Sequence, residues 1–174
     1  MTTRILAVSS SDTTYFPLLR DMIGSFTRHL PDTISEFGCF DLGLDDDSRR
    51  WLAQYTDRIV EPKPHFGVSL PSDQSAKLGF LVRPFLREYF PGFDLYLWID
   101  SDIWLQSPNA ILAMLDGAGK HGMAIAHESE RAYRFQRWLF LWTAKHFLLG
   151  YGPLTGARLL ARPHVNAGLF AIAR

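Results

Sequence analysis

The residues best placed to do chemistry are Asp100, Ser101 and Asp102, which follow the apolar run Leu95-Tyr96-Leu97-Trp98-Ile99. Extended backbone sends alternate side chains to the same face, so the two aspartates point together and Ser101 points away. Paired carboxylates repel unless something cationic lies between them, and no Lys or Arg stands close by in sequence. A hard divalent cation with oxygen ligands resolves the conflict, and Mg²⁺ and Mn²⁺ are the natural choices. Such an ion keeps one or two protein carboxylates, completes its shell with phosphate oxygens and water, and acts as a Lewis acid on a departing diphosphate. The same residues also describe a solvated strand end on which Asp102 caps the next turn, and D-x-D is common by chance. The apolar strand before it, in a chain of alternating α/β pattern, is what favours a ligand site.

Two further segments could meet the same ligand. Ser9-Ser10-Ser11-Asp12-Thr13-Thr14-Tyr15 reads as a small polar loop leaving a strand, where backbone N–H groups and a carboxylate can reach a base edge and Tyr15 can stack on it. The competing account makes Asp12 or Thr13 a helix N-cap and Tyr15 a surface ring. Val165-Asn166-Ala167-Gly168-Leu169-Phe170 places a Gly within a strand, a mark of close approach by a ligand or another backbone. Asn166 there offers donor and acceptor to sugar hydroxyls, unless the segment is a bulge with a hydrogen-bonded Asn. His29, His65, His121, His146 and His164 show no metal-ligand spacing, and His127 reads as a surface residue at a strand end. Of the tryptophans, Trp104, Trp138 and Trp142 are the ones to inspect for carbohydrate stacking, although Trp more often means core.

These residues need a scaffold, and the apolar pattern supplies one. Ile5 to Val8 reads as a buried strand, followed by a helix through Leu19, Met22, Ile23, Phe26 and Leu30 that ends at Pro31-Asp32. A weaker strand is expected within Ile34 to Leu42. Asp45, Asp46 and Asp47 suit the N-terminus of a helix carrying Trp51, Leu52 and Tyr55, where carboxylates meet unpaired N–H groups. Glu61 to Asp73 reads as a loop, and Leu78 to Tyr89 as a helix that Pro84 kinks or restarts. After the Leu95 to Ile99 strand, Ser107-Pro108 reads as a helix start, a capping side chain followed by Pro in the first helical position. A strand at Met123 to Ala126, a helix from Tyr133 to Leu149 and a strand from Val165 to Ile172 complete the pattern. Strands alternating with helices predict an α/β three-layer sandwich with a mostly parallel sheet, whose ligands gather beyond the carboxyl ends of the strands.

Composition narrows the partners. Lys plus Arg and Asp plus Glu both number 18, so the formal net charge is zero, and no basic stripe of the kind nucleic acid requires is present. Cys39 is the only cysteine, which excludes an intrachain disulfide and a multi-cysteine metal site. The N-terminal apolar run is too short for a signal peptide, and Trp138 to Leu149 is interrupted by Lys145 and His146 and too short for a bilayer span. A cytoplasmic chain with scope for peripheral membrane contact is the expectation.

In order along the chain, the three segments resemble glycosyltransferase family 8 and its close relatives of the GT-A fold, a group that includes glycogenin and bacterial galactosyltransferases. The family's Asp-x-x-Tyr loop matches Asp12-Thr13-Thr14-Tyr15; its basic helix residue and apolar strand into D-x-D match Arg83 and Leu97-Trp98-Ile99-Asp100-Ser101-Asp102; its Asn-Ala-Gly strand matches Val165-Asn166-Ala167-Gly168. The resemblance implies a metal held by Asp100 and Asp102, either Mn²⁺ or Mg²⁺. Ser10, Asp12, Thr14 and Tyr15 are implied at the donor nucleotide, and Ser101 at its ribose or donor group. Arg83, with Lys77 as the alternative on the same helix, is implied at the donor sugar or diphosphate, and Asn166, Ala167 and Gly168 along the donor-sugar pocket. It implies transfer of a hexose from a nucleotide sugar, a UDP-sugar by preference, to a glycan, lipid or protein hydroxyl with retention of configuration.

Family members carry two elements after the Asn-Ala-Gly strand: an Asp-Gln or similar segment near the reacting sugar, and a later metal-binding His. The sequence ends at Arg174, and Ser72-Asp73-Gln74 lies in the wrong place to be a counterpart. Residues 1–174 are therefore expected to form a single GT-A-type nucleotide-sugar-binding domain, the N-terminal part of a longer enzyme whose catalytic residues lie elsewhere. Two alternatives remain at this level. One is a haloacid-dehalogenase-like phosphatase with Asp100 as nucleophile, against which Trp104 and the preceding βα region stand. The other is a binding module without turnover.

Overall fold

The structure, a computed structural model, describes residues 3–29, 34, 36–65, 76–127, 137–162 and 165–174. The expected helix stop at Pro31-Asp32, Ser72-Asp73-Gln74 with most of the loop around it, and the start of the helix at Tyr133 lie outside these residues. The chain forms two compact units, Met1–Ala124 with Gly168–Arg174, and Ile125–Ala167.

In the first unit, β1 (Ile5–Ser11) lies between two parallel neighbours, β2 (Glu36–Asp41) and β4 (Leu95–Ile99). The strand β1 outruns its expected end at Val8 by three residues. Ser9, Ser10 and Ser11 continue the ladder opposite Cys39, Phe40 and Asp41. Small hydroxyl side chains fit a central strand once the backbone is paired on it, which the polar letters concealed. The short β3 (Ile59–Val60) extends the sheet beyond β2. Among the described residues, six strands take the order β3-β2-β1-β4-β6-β5. Here β5 is Met123–His127 and β6 is Val165–Ala173, and β6 runs antiparallel to β4 with Leu97 opposite Ala171. The sheet is thus mostly parallel, and the carboxyl ends of β1, β2 and β4 share one edge.

Period-two alternation divides the buried side chains between two faces. Ile5, Ala7, Leu97 and Ile99 join Leu19, Met22, Ile23 and Phe26 of α1 (Phe16–His29) and Ile111, Leu115 and Ala118 of α5 (Asn109–His121). On the other face Phe40 packs against Phe90 and Trp98, with ring centroids 5.2 and 6.3 Å apart, and Trp98 stacks on Phe170. The segment covering this side begins with α3 (Leu78–Leu81). A tight turn over Arg83–Phe85 interrupts it before α4 (Leu86–Tyr89), as Pro84 demands. The helix α2 (Asp46–Leu52) begins on the acidic cluster, with Asp45 Oδ1 accepting from Ser48 N at 2.8 Å. Ahead of α5 it is Pro108 that takes the cap position, and no side chain caps the helix there, so the expected Ser107 cap is not formed. Cys39 is fully buried, and loss of solvation, with Asp41 nearby, pushes its thiol far up, which leaves it inert.

The second unit contains α6 (Arg137–Tyr151) and α7 (Pro153–Leu160), which pack on each other. A Cβ on Gly156 would lie 2.6 Å from the Phe147 carbonyl oxygen, so only glycine allows this approach.

Candidate functional site

Where β1 ends, the chain turns at Asp12, whose Oδ1 accepts the Tyr15 N–H at 2.8 Å and so sets the entry to α1. Thr13 ties this turn to the next one: its N–H and Oγ1 both donate to the Gly43 carbonyl, at 3.2 and 3.0 Å, and its Oγ1 accepts from Asp45 N at 2.7 Å. Gly43 sits at φ 119°, a conformation that suits glycine. Its turn is braced by Asp41, a buried carboxylate at the end of β2. One Asp41 oxygen accepts from Gly43 N and Leu44 N at 2.9 and 2.7 Å, and the other from Arg49 Nε and Nη2 at 2.8 and 2.6 Å. The loop that carries Asp12 and Tyr15 therefore rests on a polar network rooted in the sheet.

At the end of β4 the backbone does not stay extended. The strand stops at Ile99, and Asp100 to Ile103 form a turn closed by Ile103 N donating to the Asp100 carbonyl at 3.1 Å. The alternation expected to set the two aspartates on one face and Ser101 on the other is therefore absent, and all three line the same cleft. Asp100 N donates to the Gly168 carbonyl at 2.8 Å, which fixes the turn to β6. Asp100 Oδ1 accepts from Trp98 Nε1 at 2.6 Å and from Arg83 Nη2 at 2.7 Å. The Arg83 guanidinium also lies 4.9 Å from the Trp98 ring centroid and 4.8 Å from that of Phe80. With side-chain exposures of 13% for Arg83 and 27% for Asp100, the pair is more shielded than a surface bridge. The cation that partners Asp100 thus comes from 17 residues away, not from its sequence neighbourhood.

Between the two turns lies a cleft of about 210 Å³ lined by Ser10, Ser11, Asp12, Tyr15, Leu42, Ala76, Gly79, Phe80, Arg83, Asp100, Ser101 and Asp102. Seven of the residues singled out in the sequence meet here: Ser10, Asp12, Tyr15, Arg83, Asp100, Ser101 and Asp102. Thr14 is exposed and stands outside the lining, as does Lys77. Gly168 is buried and reaches the site through its carbonyl bond to Asp100; Asn166 is exposed and Ala167 half-buried at the start of β6, in the second unit. Of the tryptophans singled out, Trp104 is half-exposed beneath the Arg28 guanidinium, 5.2 Å from its centroid, and Trp142 lies on α6. The sequence reading missed Gly79. Its backbone comes so near β1 that a Cβ there would meet Ser10 Oγ at 2.9 Å and Leu42 Cδ1 at 3.1 Å. It also missed Trp98, an apparent core residue whose indole N–H faces the acid.

The donor set suits a hard divalent ion that relies on its ligand. Oδ1 of Asp100 is held by two donors, while Oδ2 has none among the described residues, and Asp102 is an exposed carboxylate in the same cleft. No group of three or more His, Cys, Asp or Glu side chains able to hold a metal occurs among the described residues. Two carboxylates lining one cleft are the number of protein ligands that Mg²⁺ commonly takes beside phosphate oxygens and water.

A mostly parallel α/β sheet with its cleft beyond the carboxyl ends of the central strands defines the class: the chain has the GT-A fold of the nucleotide-diphospho-sugar transferases. No protein-family model matches the sequence, and no curated protein matches it. Among solved structures it is similar to the galactosyltransferase LgtC in complex with donor and acceptor sugar analogues, at 19% identity and a TM-score of 0.62, covering 97% of this chain and 57% of that one. It is also similar to glucosyl-3-phosphoglycerate synthase from Mycobacterium tuberculosis in complex with Mn²⁺ and UDP-glucose, at 18% identity and a TM-score of 0.57, covering 98% and 56%. The mannosyltransferase PcManGT from Pyrobaculum calidifontis, in complex with GDP-mannose and Mn²⁺, gives 15% identity and a TM-score of 0.55, covering 100% and 45%. The chain thus spans between 45% and 57% of the length of these three structures.

Proposed function

We propose that this chain is the nucleotide-sugar-binding part of a metal-dependent glycosyltransferase that moves a hexose from a UDP-sugar to a hydroxyl of a glycan, lipid or protein, with retention. The observation that carries this reading is the meeting, in one cleft of a GT-A sheet, of Asp100, Ser101, Asp102 and Arg83 with Asp12 and Tyr15. In this reading Tyr15 stacks on the base and Asp12 borders base and ribose, with Ser10 and Ser101 beside them. Arg83 meets the diphosphate or donor sugar, and Gly168, bonded to Asp100 through its carbonyl, borders the sugar. Asp100 and Asp102 hold Mn²⁺ or Mg²⁺, which when bound supplies charge to offset that gained by the leaving diphosphate. Arg83 supplies a second, fixed positive charge, held by the Asp100 contact and the flanking rings before any ligand arrives. A phosphatase with Asp100 as nucleophile fits less well, because three strands among the described residues precede the one that leads into Asp100, and Trp98 and Arg83 already hold Oδ1.

Calorimetric titration of UDP into the chain, first with Mn²⁺ and then with EDTA, tests the proposal. Binding that needs the metal and disappears in Asp100→Ala/Asp102→Ala is expected. Metal-independent binding, or none by the folded chain and none by a longer gene product, overturns it.

A further inference from the structure

In the second unit, a broad apolar surface faces outward. Leu141, Trp142, Leu148 and Leu149 are 38–75% exposed, and Tyr151 and Leu154 exceed 60%. The first four stand at positions i, i+1, i+7 and i+8 of α6, which is one helical face, and the exposed Lys145 at i+4 lies within it. Thr143, Ala144 and Phe147, on the other side, are half-buried, and α7 packs closely there at Gly156. A soluble surface rarely carries so much contiguous apolar area without an occupant.

Charge selects the occupant. From 137 to 162 the sequence holds Arg137, Lys145, Arg158 and Arg162 and no acidic residue, and the unit as a whole has six Lys or Arg against Glu128 and Glu130, in a chain of zero formal charge. A second copy of this face would meet it with like charge. We infer that the α6–α7 face docks on an anionic phospholipid surface. Its leucines and Trp142 enter the acyl boundary, while Lys145, Arg158 and Arg162 meet headgroup phosphates. The helix lies on the bilayer and does not cross it: its 15 residues reach about 22 Å against a hydrocarbon core of about 30 Å.

Co-sedimentation with phosphatidylcholine vesicles, with and without phosphatidylglycerol, tests this independently of any nucleotide binding. The whole chain is expected to pellet with the phosphatidylglycerol vesicles and to be released by salt. Trp142→Ser/Leu149→Ser, with far-UV circular dichroism unchanged, is expected to lower partitioning by about tenfold or more. Arg158→Gln/Arg162→Gln should lower it on anionic vesicles only. The inference is overturned if the folded chain ignores both vesicles, or if the apolar variants partition like wild type. A salt-resistant dimer lost in Trp142→Ser/Leu149→Ser, without vesicle binding, would also overturn it and assign the face to a second copy.

Discussion

Arg83 Nη2 donates to Asp100 Oδ1 at 2.7 Å, and that one contact joins the segment over the sheet to the end of β4. It puts a fixed cation beside the carboxylate proposed to hold the metal, so the two must divide Asp100 between them. Replacing Arg83 with Met keeps an apolar stem but removes the charge and the guanidinium that lies over Trp98 and Phe80. The expected outcome is opposite for two ligands. UDP in the presence of Mn²⁺ should bind about tenfold or more weakly, the scale of one lost charged hydrogen bond, while Mn²⁺ alone should bind at least as tightly as to wild type. Arg83→Lys should recover only part of the UDP affinity, because a compact ammonium cannot lie flat between two rings as guanidinium does. Calorimetry with each ligand separates these effects, and equal losses for both would show that Arg83 merely holds the fold.

The close approach of Gly79 to Ser10 makes a second prediction. A methyl at 79 would sit 2.9 Å from a hydroxyl and 3.1 Å from a leucine methyl, both ends of side chains that can turn aside. Gly79→Ala should therefore fold and lose about 1 kcal/mol from overpacking. Ser10→Ala in the same chain removes the hydroxyl in the way, so the double variant should lose less than the two single losses together. Urea unfolding of the four proteins measures the coupling. Strict additivity would mean that α3 and β1 are not in contact as described.

How much of this was legible before the fold was known depended on distance along the chain. Leu95 to Ile99 could be read as a strand because every side chain in it is apolar, and Pro84 as a break because its ring forbids continuous helix. The aspartates stood out as a pair, and Asp12 and Tyr15 as a turn. What the letters concealed was which groups meet. Nothing local indicates that Arg83 crosses to Asp100, that an indole N–H at Trp98 serves an acid, or that Thr13 leans on Gly43. Each depends on how segments stack across the sheet. Even the expected grouping of the aspartates on one face, with Ser101 on the other, rested on a strand alternation that the turn at Asp100 replaces, and all three residues line the cleft.

Asp41 is the clearest such omission, and it too can be tested. Its side chain is only 2% exposed and accepts four donors, two of them the backbone N–H groups of Gly43 and Leu44. Asp41→Ala strands those N–H groups in a turn that must also support Thr13. A loss of about 3 kcal/mol in urea unfolding is expected. UDP affinity, measured where the variant is still folded, should fall as well, because the Asp12–Tyr15 loop loses its footing. Lost stability with unchanged UDP binding would separate the network from the site.

Glu36 ties the sheet edge together and should make stability depend on pH. Its Oε1 accepts from Arg4 Nη2 at 2.9 Å, and its Oε2 from Arg58 Nε and Nη2 at 2.9 and 2.6 Å. The hydrogen bond from Arg4, foremost, and then that from Arg58 hold the carboxyl below its ordinary range against the opposing effect of burial. A carboxyl lowered in the folded state binds its proton more readily in the unfolded chain. Its contribution is therefore complete above the ordinary carboxylate range and is lost as pH falls through the lowered folded value. At neutral pH Glu36→Gln should melt about 2–4 °C below wild type, a modest effect because the arginines are partly exposed. At a pH below the folded value the two melting curves should converge. A gap that persists unchanged in acid would show that the glutamine disturbs packing at β2 and that the charge itself contributes nothing.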